Sequence, residues 1–73
     1  MSGESAPSDR VRTLLLRGDN VLKSARPERL PRALEAFEQA REAAADPSVD
    51  PRVRELVDRR IESLRALMEA EST

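Results

Sequence analysis

Seventy-three residues carrying thirteen basic and fourteen acidic side chains make one domain at most, near the lower size at which a single hydrophobic core supports itself. Cysteine and histidine are both absent, which excludes a disulfide framework, a zinc site of the usual Cys/His composition, and the commonest acid-base and thiol chemistry. Lys23 is the single lysine, and Gly3 and Gly18 are the only glycines, so a glycine-rich phosphate loop is excluded too and no enzyme activity or cofactor is expected.

Residues 1–8 are small and polar, with neither a basic start nor an apolar run. They are expected to form a disordered tail, not a signal peptide or membrane anchor. The longest apolar runs, Leu14-Leu15-Leu16 and Ala43-Ala44-Ala45, fall far short of a membrane span, and a cytoplasmic location is expected. Twelve of the thirteen basic residues are arginine, a bias typical of a GC-rich bacterial genome.

The first helical period runs through Val11, Leu14, Leu15, Gly18, Val21, Leu22 and Ala25, at steps of three and four. It predicts a helix from about Asp9 to Ser24, with Ser8 or Asp9 as cap and Pro27 enforcing the end. The stripe keeps its phase on both sides of Gly18, which favours one continuous helix over a break at Gly-Asp-Asn. The segment from Ala25 to Pro31 reads as a loop.

A second helix is predicted to start between Glu28 and Pro31 and to stop near Ala45. Its stripe is Leu30, Ala33, Leu34, Phe37, Ala40, Arg41 and Ala44, with Phe37, the sole aromatic residue, at its centre. Two prolines and two capping residues in Asp46-Pro47-Ser48-Val49-Asp50-Pro51 then mark a boundary. Asp50 should cap a third helix whose first residue is Pro51.

That third helix should reach about Glu69 along Val53, Leu56, Val57, Ile61, Leu64, Leu67 and Met68. The pairs Arg54 with Asp58, Glu55 with Arg59, and Arg65 with Glu69 are spaced to support its exposed side. The resulting expectation is an all-α, three-helix domain over residues 9–70 with a frayed end at 71–73. Its core should take in Val11, Leu15, Gly18, Leu22, Leu34, Phe37, Val57, Ile61 and Leu64, and of the apolar residues away from the main stripes, Leu16, Val49 and Leu67, some should be contact surface.

The first two segments resemble a tetratricopeptide repeat, a helical hairpin, followed by a third helix in the place of the next repeat or of a capping helix. Gly18 stands where that family has its close-approach glycine, and Ala33, Phe37 and Ala40 reproduce the alanine, aromatic, alanine spacing of its second helix. Leu14 and Val21 take the places of the family's tryptophan and tyrosine. Arg17 stands where the family has a leucine, and the loop is three residues longer.

The resemblance implies that the first helix lines a recognition groove, at Arg12, Leu15, Asp19, Leu22 and Lys23. Two cations flanking two leucines suit an acidic or C-terminal peptide segment. Charge is distributed accordingly: Asp9 to Arg32 is net +4, Ala33 to Asp50 is net −4, and the third helix balances. The leading expectation is a non-catalytic adaptor or docking module for a protein segment, followed by a self-associating assembly subunit. Nucleic-acid binding ranks last because the chain lacks the basic excess that phosphate contacts require. Glu38 and Glu42, four apart, are expected to be solvated carboxylates and not metal ligands.

Overall fold

Proline placement and local capping divide the chain into helices much as the spacing predicts. The computed structural model describes residues 6–72, and these form α1 (Pro7–Lys23), α2 (Arg29–Ala44) and α3 (Pro51–Ser72), with no strand among them. The domain is all-α. Among the described residues, no helix is long and apolar enough to cross a membrane.

Helix α1 begins two residues earlier than predicted, and neither Ser8 nor Asp9 caps it. Ala6 is the N-cap, in an extended conformation and without a side-chain cap, and Pro7 opens the helix. Proline suits that position because its φ is already helical and its missing N–H is one the helix could not have bonded. Of the expected tail, Pro7 and Ser8 therefore belong to α1, and residues 1–5 lie outside the described residues. The helix runs unbroken through Gly18 and ends at Ser24, whose hydroxyl donates to the Val21 carbonyl at 2.7 Å.

The turn between α2 and α3 is fastened by side chains. The Asp46 carboxylate accepts from the Ser48 N–H at 2.9 Å and from the Ser48 hydroxyl at 2.7 Å, holding the chain in a tight turn after α2. These bonds favour the charged carboxylate, so the Asp46 pKa lies below its ordinary value. Asp50 then accepts from the Arg52 N–H at 2.9 Å, the predicted cap of α3. Between them Val49, which stands away from the apolar stripes, is buried in the core; the turn folds it inward under its two capped ends.

Helix α2 is the middle element, with α1 and α3 packed on it and meeting each other only marginally. Both neighbours run antiparallel to it. On α3, Arg54 near the start reaches the end of α2, donating from Nε to the Ala44 carbonyl at 3.0 Å, while Glu71 near the end pairs with Arg29 at the start of α2. Three helices side by side make an elongated shape of 46 × 24 × 13 Å. The radius of gyration, 13.0 Å, exceeds the roughly 11 Å expected of a near-spherical chain of this length.

The core is one cluster from all three helices and the second turn: Val11, Leu14, Leu30, Ala33, Phe37, Ala40, Ala44, Val49, Val57, Ile61 and Leu64. Alanines dominate the buried face of α2, which lets α1 lie close against it. Gly18 is where the approach is tightest. A Cβ built on it would clash with Phe37 Cε1 and stand 2.8 Å and 2.9 Å from Cδ1 and Cζ of the same ring. Leu15, Leu22 and Leu34, placed in the core by their spacing, are partly buried and pack against its rim.

Helix α3 buries the expected face, with Val53 and Met68 packed against the core, and departs from its predicted stripe chiefly at Leu56. Val57, Ile61 and Leu64 point into the core, leaving Leu56 and Leu67 each 45% exposed on a common outer face. Its predicted end near Glu69 is also exceeded, since Glu71 and Ser72 complete the helix and Thr73 lies outside the described residues. Charged side chains link helices to one another. Arg41 pairs with Asp58 at 3.6 Å, Arg65 with Glu38 at 3.2 Å, and Arg60 with Asp19. Arg54 and Asp58, expected to pair along α3, are thus drawn to separate partners on α2.

Candidate functional site

Solvated helix faces become sites only where adjoining elements give them walls, and α1 has such a place on its side away from α3. There an open cleft of about 650 Å³ lies between the last turns of α1, the connecting loop and the first turn of α2. Leu16 and Val21 supply its apolar surface, and Thr13, Asn20 and Ser24 its polar wall. Arg17, Arg26, Arg29 and Arg32 surround it, with Glu28 as the one acidic side chain.

Local backbone chemistry brings the arginines together. Arg26-Pro27-Glu28-Arg29 forms a turn closed by the Arg29 N–H donating to the Arg26 carbonyl at 3.2 Å, with proline at the position whose φ it already satisfies. The Arg32 N–H then donates to the Glu28 carbonyl at 3.2 Å and starts α2. Arg29 and Arg32, three residues apart, share a helix face. Arg17 reaches the same space from α1, one position after Leu16.

Electrostatics make this an anion-seeking surface. The first turn of α2 carries no acidic residue, although the positive end of a helix dipole favours acids there and disfavours cations by about 0.3–1 kcal/mol each. Glu71 relieves Arg29 at 3.5 Å. Arg17, Arg26 and Arg32 have no ion-pair or hydrogen-bond partner for their side chains among the described residues. Leu16 is 56% exposed beside them.

The five residues expected to line a groove lie toward the opposite side of α1. Leu15 and Leu22 are partly buried against the core, and Asp19 between them is tied to Arg60 of α3. Arg12 and Lys23 are exposed. The structure therefore packs Leu15 and Leu22 against the core and ties Asp19 to α3, and leaves the two cations exposed. Glu38, read as a solvated carboxylate, is half-exposed and held by Arg65. No cluster of three or more acidic, histidine or cysteine side chains suited to a metal ion occurs among the described residues.

No protein-family model matches the chain, and no curated protein or solved structure matches it.

Proposed function

We propose that this chain is a non-catalytic protein-interaction module that docks an acidic, partly apolar protein segment in the arginine-rimmed cleft beside α1. The observation that carries this reading is the gathering of three guanidiniums, unpaired among the described residues, around the exposed Leu16 of α1 in the cleft that α1 forms with the start of α2. An incoming carboxylate satisfies Arg17 or Arg32 with a charge-assisted bond and offsets the like-signed helix end, while an apolar side chain covers Leu16 and Val21. The close approach of Gly18 to Phe37 supports reading α1 and α2 as a hairpin of the tetratricopeptide kind, in which a first helix used for recognition is backed by a second.

The expected groove at Arg12, Leu15, Asp19, Leu22 and Lys23 is less suited to this role. Its leucines are engaged with the core, and a carboxylate occupies its centre. The test uses a fluorescently labelled helical peptide of about fifteen residues, with glutamates on one face and two leucines on the other, and a lysine-for-glutamate counterpart. Anisotropy titration should show binding of the acidic peptide alone. Arg17→Glu with Arg32→Glu should weaken it about tenfold, since each reversed exposed pair is worth up to about 1 kcal/mol. Arg12→Glu with Lys23→Glu should leave it within a factor of two or so of the parent. Equal binding of both peptides, or loss only in the second variant, refutes the assignment.

A further inference from the structure

Helix α3 presents a second surface, remote from the arginine cleft and independent of it. Leu56 and Leu67 are each 45% exposed and stand eleven residues apart, three helical turns, on the same outer face. Ser63 lies between them, exposed and small enough to allow another helix close approach. A 73-residue chain with no disulfide and an elongated three-helix core has reason to cover such a strip.

The charges beside this strip say what covers it. Arg54, Asp58, Arg60, Arg65 and Glu71 are engaged with α1 and α2; of the other charges, Arg52 and Arg59 against Glu55 leave the first half of α3 net +1, and Glu62 and Glu69 leave the second half acidic. A helix with a basic first half and an acidic second half complements itself when paired antiparallel. The individual residues follow the same symmetry: Leu56 and Leu67 are placed about a helix midpoint near residue 61, and so are Arg59 and Glu62. Arg59 and Glu62 are exposed, and neither side chain has an ion-pair partner among the described residues.

From this self-complementarity we infer that α3 is an isologous interface for a second copy of the chain, in which the two α3 helices lie antiparallel across a two-fold axis near residue 61. Leu56 of each copy packs on Leu67 of the other, and Arg59 of each meets Glu62 of the other, so every contact is made twice. The arginine clefts stay open, because they lie on α1 and the start of α2.

Sedimentation equilibrium from micromolar concentration to about 1 mM tests this. The parent should dimerise, and Leu56→Glu with Leu67→Glu should abolish the dimer while the helical circular dichroism spectrum and thermal melt of the monomer persist. Arg59→Glu alone and Glu62→Arg alone should each raise the dissociation constant several-fold by placing like charges opposite each other. The double exchange, Arg59→Glu with Glu62→Arg, should restore it. A parent that remains monomeric throughout the range overturns the inference and leaves the strip to a different protein. A dimer that survives the leucine variant, or that the double exchange does not restore, overturns the α3 pairing.

Discussion

Replacing Gly18 with alanine should destabilise this domain, although in an exposed helix interior the same change stabilises by about 1 kcal/mol. The sign is set by Phe37. Three atoms of its ring crowd the position of the new methyl, two of them at 2.8 and 2.9 Å, well inside ordinary carbon contact. The ring is fully buried and has no exit to solvent, so the helices must separate or the ring must leave its rotamer. Overpacking of this kind costs about 1–3 kcal/mol, enough to cancel the propensity gain and leave a net loss of roughly 0–2 kcal/mol. For a chain whose total stability is on the order of 4–11 kcal/mol, that is a visible shift in a urea midpoint. The decisive assay is a double-mutant cycle by urea denaturation with Phe37→Leu, whose smaller side chain makes room for the methyl. Alanine at position 18 should be less harmful, or stabilising, in the Phe37→Leu background, with a coupling of about 0.5–3 kcal/mol. Additive effects, or a parent-background Gly18→Ala variant more stable than the parent, would refute the close approach of α1 to α2.

The second turn supports two further expectations. Asp50→Ala removes the cap on the Arg52 N–H and should cost about 1 kcal/mol in the same denaturation assay, whereas Asp50→Ser should recover most of it. Asp46 should titrate in carboxyl-detected NMR with a midpoint below 3.8, because its charged form is favoured by the Ser48 bonds. A folded-state pKa below the unfolded one means that its contribution is present above that unfolded value and is lost as pH falls through the depressed folded value. Asp46→Asn should therefore flatten the dependence of stability on pH below about 4 and leave the slope at neutral pH unchanged. A midpoint at or above 3.8 contradicts the turn geometry.

Much of the fold is legible in the chain because its punctuation is strong. Pro27, Pro47 and Pro51 bracket the helices, Asp50 caps where capping chemistry places it, and the alanine stripe with Phe37 identifies the buried face of α2. What eluded the spacing depends on three-dimensional context. Periodicity cannot decide which neighbour a helix turns toward, so Leu56 and Val57, adjacent in the stripe, end on opposite sides of the burial boundary. Val49 lies in a turn, where no period applies, and its burial follows from how Asp46 and Asp50 fold the chain around it. Arg65 and Asp58 pair with Glu38 and Arg41 because α2 places those side chains within reach, a contact that spacing along α3 does not reveal.

The cleft was hidden for a related reason. Apolar stripes locate cores, whereas this surface joins the polar side of α1 to a loop and a helix start. Two signals were nonetheless present: the net +4 between Asp9 and Arg32, and Leu16 standing off the stripe beside Arg17. Arg17 reads as a departure from the repeat pattern until the fold sets it opposite Arg32.

The central claim, that an acidic segment docks in this cleft, is tested most directly by amide chemical-shift mapping. The ¹⁵N-labelled chain is titrated with the acidic leucine-bearing peptide at low salt, where exposed charges are least screened. The account predicts shifts concentrated at Leu16, Arg17, Asn20, Ser24, Arg26 and Arg32, fading as salt is raised. Shifts concentrated instead at Arg12, Leu15 and Leu22, or along Leu56 and Leu67 of α3, would contradict it.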